Sequence, residues 1–183
     1  MIILAAIALS PQLKGLVLQG LMRTGLFKPD IVSLEKKESS VSEQSMLKKA
    51  PSVIFQSSAG DIINISAPAG KVIFLNFWAT WCPPCVEELP MLNAFYRQQA
   101  PNGWQVLGLA IDQPSAVRKF LQRIPLEFPV GLAGLGGTDL GRSLGNLTGG
   151  LPFTVVLGGN GRVLHRKMGQ ITPQDLQLWA PLR

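Results

Sequence analysis

Residues 77–90 read FWATWCPPCVEELP, and both cysteines of the 183-residue chain lie in this stretch, at 82 and 85 with two prolines between them. Three chemistries are open to such a pair: a structural staple, half of a metal site, or a redox switch. A staple fits poorly, because a disulfide acts mainly by constraining the unfolded chain and a loop this short constrains little. A chain of this length with 46% hydrophobic residues can also build a core without one. Structural zinc takes four ligands, and His165, the only histidine, lies in the last hairpin, where a surface or packed role is the ordinary one. Met168 reads as core.

The flanks favour the switch. KVIFLNFWA (71–79) is an almost continuous apolar run, suited to a central strand buried on both faces. Pro83 and Pro84 suit the first turn of a helix, where a missing N–H costs nothing. Glu87 and Glu88 fall in its early turns, where the helix dipole favours a carboxylate. Leu89, Leu92, Phe95 and Tyr96 give it an apolar stripe, and Pro90 is expected to kink it unless the first turn absorbs the strain. Cys82 then stands where strand gives way to helix, the place where unpaired N–H groups favour a thiolate. Cys85 follows one turn later on the same side, deeper in the helix and less exposed. The two sulfurs can close a disulfide with little backbone movement.

On either side of this stretch the pattern continues. SVIFQSSAGDIINIS (52–66) reads as a β-hairpin around Ala59-Gly60-Asp61. WQVLGLAID (104–112) is a second buried strand, and Pro114 opens a helix with Val117, Phe120 and Leu121 inward. The glycine-rich stretch 128–150 starts with a short strand and holds a short helix near Thr138–Leu144. It lacks the order of a phosphate-binding loop. Asn146-Leu147-Thr148 has the form of a glycosylation sequon. Residues 153–169 form a hairpin turning at Gly158-Gly159-Asn160-Gly161. TPQDLQLWA (172–180) is a terminal helix with Thr172 as N-cap and Pro173 at N1. Strands alternating with helices imply parallel pairing with right-handed crossovers, and the hairpins add antiparallel strands. The expected fold class is α/β, a mixed sheet with helices on both faces.

NFWATWCPPC followed by EELP, then GLPFTVV and GNGRVLHRKMG, resembles the thioredoxin-like family, in particular its TlpA/ResA/CcmG-type thiol–disulfide oxidoreductases. The resemblance covers residues 50–183. It implies a thioredoxin-like fold, with Cys82 as attacking and Cys85 as resolving cysteine, and a redox-active disulfide in place of any cofactor or metal. It implies a cis bond at Pro152, with Leu151 offering its backbone to substrate. Trp81, Pro83, Leu151 and Pro152 would form the substrate-binding surface, although Trp78 and Trp81 could equally be packing residues. Thioredoxin keeps a buried aspartate on its central strand, and the matching position here is Asn76, which cannot take a proton. Glu88, one turn after Cys85, matches the family's acidic residue near the active site and is expected to do that work.

The function implied is reduction of disulfides in exported proteins, apocytochrome c among the candidate substrates, with a membrane electron donor resetting a monomeric protein. The alternatives are a disulfide oxidase or isomerase, a copper metallochaperone using the same cysteines, and a non-catalytic interaction module. Two intact cysteines argue against the last. Residues 1–27 open with the apolar run MIILAAIAL and are expected to be a signal or membrane-anchor segment, or an accessory helix packed on the domain. Residues 28–49 read as a polar linker, and the domain begins at 50. An extracytoplasmic, periplasmic location is expected, with or without a membrane tether. The net charge of +6 is dispersed in separate pairs such as Lys48-Lys49 and Arg166-Lys167, with no aromatic interleaving, which argues against nucleic acid.

Overall fold

The computed structural model describes residues 50–65 and 71–181. The expectations for residues 1–27 and 28–49 therefore lie outside the described residues. Strands β1 (Ile54–Ser57) and β2 (Ile62–Asn64) form the expected hairpin. β3 (Val72–Trp78) leads into helix α1 (Pro83–Gln99), then a single 3-10 turn (Ala100–Asn102) and β4 (Trp104–Ala110). Next come α2 (Pro114–Arg123), β5 (Val130–Leu132), α3 (Gly134–Ser143), the hairpin β6 (Phe153–Leu157) and β7 (Val163–Met168), and α4 (Pro173–Trp179).

Among the described residues, one seven-stranded sheet has the order β2-β1-β5-β4-β3-β6-β7. β3, β4 and β5 are parallel, and the remaining pairings are antiparallel. The chain steps in one direction from β3 to β4 to β5, so two right-handed crossovers place α1 and α2 on the same face. α4 joins them. On that face Phe74, Trp78, Val106 and Val156 pack against Leu89, Leu92, Phe95, Phe120 and Trp179. The opposite face carries Ile73, Leu75, Phe77, Leu107, Leu109 and Val155, covered by Leu140 and Leu144 from α3 and its C-terminal end. β3 is buried along its whole length because its alternate side chains enter two different cores.

One local expectation needs adjustment. α3 begins at Gly134, four residues before the expected Thr138, because three of its first four residues are glycines, which carry no helix signal. α1 runs from Pro83 to Gln99 with Pro90 inside it, exposed. Gly108 on β4 has a packing reason: a Cβ there would lie 2.9 Å from the Phe128 ring and 3.0 Å from Trp78 Nε1.

Candidate active site

The buried strand β3 ends at Trp78, and residues 79–82 carry the chain to the mouth of α1. This turn is tied to a neighbouring strand. Asp112, just past β4, accepts from Thr80 N–H at 3.0 Å and from the Thr80 hydroxyl at 2.5 Å through the same carboxylate oxygen. Its other oxygen accepts from Gln113 N–H at 2.7 Å. Cys82 is the N-cap of α1, with extended backbone and no side-chain cap. Pro83 and Pro84 lack N–H groups, so Cys85 brings the first donor of the helix. The Val86 N–H closes the first helical bond onto Cys82 O at 3.1 Å.

Cys82 and Cys85 are joined in a disulfide, with an S–S distance of 2.03 Å and Cα atoms 5.3 Å apart. Cys82 is 4% exposed, against 0% for Cys85. The order of exposure is as expected, but Cys82 is far less open than a free attacking sulfur would be. In the oxidised pair it belongs to the buried cluster that includes Trp78 and Ala79. Its surroundings are open instead: Trp81 is 67% exposed and Pro83 is exposed. Trp78, by contrast, is fully buried against Phe120, with ring centroids 5.2 Å apart, and is a packing residue.

The Leu151–Pro152 peptide bond is cis. Pro152 is buried and Leu151 half-buried, at the start of β6 beside β3, on the end of the sheet where α1 begins. The segment before it is held by Asn146, whose amide donates to Gly150 O at 2.9 Å. Asn146 is buried, so in the folded chain its nitrogen is a loop-holding donor rather than an exposed acceptor for sugar. Sequence form alone did not reveal this.

Glu88 departs most from a surface reading. It points inward and is buried, so the dipole role suggested by its place in the helix does not describe it; Glu87 is exposed. One Glu88 oxygen accepts from Asn76 Nδ2 at 2.7 Å, and the other accepts from Ile171 N–H at 2.7 Å. The Asn76 amide also donates to Thr154 Oγ1 at 3.2 Å. The strand position that holds the acid in thioredoxin thus touches the helix acid directly. Burial raises the Glu88 pKa above the ordinary carboxyl range, opposed by the hydrogen bonds from Ile171 and Asn76 and by the charge of Lys167. The result is a carboxylate more basic than usual, one turn from Cys85. His165 stacks on Trp179, with ring centroids 5.6 Å apart, as a packed residue. Met168 is 47% exposed rather than core, because it ends β7.

The Redoxin family model matches residues 47–177. A thiol-disulfide oxidoreductase ResA of Bacillus cereus is 32% identical over 132 residues, spanning 71% of this chain and 73% of that protein. A thioredoxin-family thiol:disulfide interchange protein from Chlorobium tepidum TLS superposes with a TM-score of 0.65 at 25% identity, covering 73% of this chain and 93% of that one. A secreted thiol-disulfide isomerase from Corynebacterium glutamicum gives 0.63 at 27% identity, covering 72% and 82%. The chain belongs to the Redoxin family and, within it, to the ResA-type thiol–disulfide oxidoreductases of thioredoxin-like fold.

Proposed function

We propose that this oxidoreductase reduces disulfides of exported proteins through Cys82 and Cys85. The observation that carries the reading is the disulfide at the mouth of α1 with the buried Glu88 one turn behind it. In the reduced protein, the Cys82 thiolate attacks a substrate disulfide. One new S–S bond forms as one breaks, and the first substrate sulfur leaves as thiolate. Cys85 passes its proton to Glu88 and attacks the Cys82 sulfur, releasing the second substrate thiol. The substrate gains two electrons; its two sulfurs take up one proton from Glu88 and one from solvent, and the protein is left with the Cys82–Cys85 bond. A dithiol donor, at the membrane in this reading, reduces that bond by two exchanges of the same kind and leaves as a disulfide.

Trp81, Pro83, Leu151 and Pro152 supply the surface that receives the substrate chain. Location outside the cytoplasm is supported by the apolar run 1–9 and by the secreted relative. Among the described residues no helix is long and apolar enough to cross a membrane. The reductase direction follows the family resemblance. Equilibrating the protein with a dithiol buffer and reading the potential of the Cys82–Cys85 pair tests it. A strongly reducing value is expected; a value near that of DsbA, about −120 mV, would reverse the direction. Cys82→Ser should abolish turnover of a disulfide-containing protein.

A further inference from the structure

Glu88 stands over a row of side chains drawn from three strands. Asn76 on β3 pairs in register with Thr154 on β6, and Thr154 pairs with Lys167 on β7. Directly opposed residues of antiparallel strands project from the same face. Asn76, Thr154 and Lys167 therefore line up on the face that α1 and α4 cover, a polar row crossing a mainly apolar face. Asn76 and Thr154 are fully buried. Lys167 ends the row, its side chain 28% exposed and paired with Asp175 of α4.

Asp175 also accepts from Thr172 N–H at 2.7 Å and from the Thr172 hydroxyl at 2.6 Å. The adjacent amide, Ile171 N–H, is the one that donates to Glu88. Two consecutive amides are thus held by two carboxylates, one buried and one near the surface. Lys167 is bonded to the second and lies in the row that leads to the first.

We propose that Lys167, anchored by Asp175 at the end of this row, is a positioning residue for disulfide exchange that makes Glu88 less ready to take up a proton. The proposal rests on the reading of Glu88 as proton acceptor for Cys85. The groups around Glu88 make the assignment. Its own helix presents the cysteine pair. β3 and β6 present the neutral Asn76 and Thr154. The segment before α4 presents only the Ile171 N–H, and Asp175 is bound to Lys167 and Thr172. His165, on the same face of β7, stacks on Trp179. Among the described residues, Lys167 at the end of the row is the cation whose charge favours the ionised form of Glu88, adding to the larger effects of the Ile171 and Asn76 hydrogen bonds against burial.

The test uses the full chain with Lys167→Met, Lys167→Gln and Lys167→Arg, each checked for folding by thermal unfolding. Two quantities are read: the titration midpoint of the Glu88 carboxyl by carbon NMR, and the pH profile of disulfide exchange. Both neutral variants should move the Glu88 midpoint upward and carry the profile with it, while Lys167→Arg restores both. An unmoved midpoint in the folded neutral variants overturns the proposal, and so does a moved midpoint with an unmoved profile. Glu88→Gln separates the two ideas. If its profile matches the wild type, the reading of Glu88 fails. If its profile differs while the Lys167 variants behave as wild type, only the proposal fails.

Discussion

The two faces of β3 are built on different terms. Toward α3, Ile73, Leu75 and Phe77 join an apolar cluster with Leu107, Leu140 and Val155, and Phe77 lies against Phe153 with ring centroids 5.6 Å apart. Toward α1, the same strand places Asn76 between Phe74 and Trp78, and the polar row passes through it. A buried polar group costs free energy unless its partners are supplied. The α3 face has only to hold the sheet together. The α1 face keeps a carboxyl, an amide and a hydroxyl inside because the helix it supports carries the cysteines.

The largest effect on stability should come from the apolar face. Phe77→Ala empties fully buried ring volume and should cost about 3–5 kcal/mol in denaturant unfolding. The pH profile of exchange should keep its shape; a changed profile would mean that the two faces are not separate in function. Glu88→Gln should do the reverse, slowing exchange by about 10²-fold or more in stopped-flow assays. Its effect on stability has a definite sign. A carboxyl whose folded pKa is raised contributes stability that is fully present below its unfolded pKa and lost as pH rises through the folded one. The stability of the glutamine variant relative to wild type should therefore rise with pH across that window and then level off.

Gly108→Ala probes the apolar part of the α1 face, since the added methyl meets Phe128 and Trp78. It should cost about 1–3 kcal/mol by overpacking, read as a lower denaturation midpoint. Thr172→Ala removes a side-chain cap on α4 and should cost about 1 kcal/mol.

Local signals in the sequence were enough for most of the architecture. The apolar run 71–79, the prolines at 83, 84, 114 and 173, and the Thr172 cap each fix an element by the chemistry of its own residues. The cysteine spacing pointed to the disulfide, while the cis bond at Pro152 was an expectation of the family resemblance, since a proline there reads by itself as an ordinary turn residue. What was not legible depends on partners distant in sequence. Thr154 and Lys167 look ordinary until strand register sets Thr154 beside Asn76, 78 residues away, and Lys167 beside Thr154. The burial of Cys82 reflects the core cluster it joins, whose members come from several elements. The inward turn of Glu88 depends on an amide 83 residues away. The holding role of Asp112 was missed because it joins a turn and a strand end 32 residues apart.

That last contact bears on how the molecule meets another chain. One carboxylate oxygen takes two hydrogens from Thr80, the residue just before the exposed indole of Trp81. The turn that carries the proposed landing place for an incoming polypeptide is therefore braced from the end of β4 as well as from its own strand. The brace is made of oxygen and nitrogen atoms alone, so no sulfur atom takes part in it.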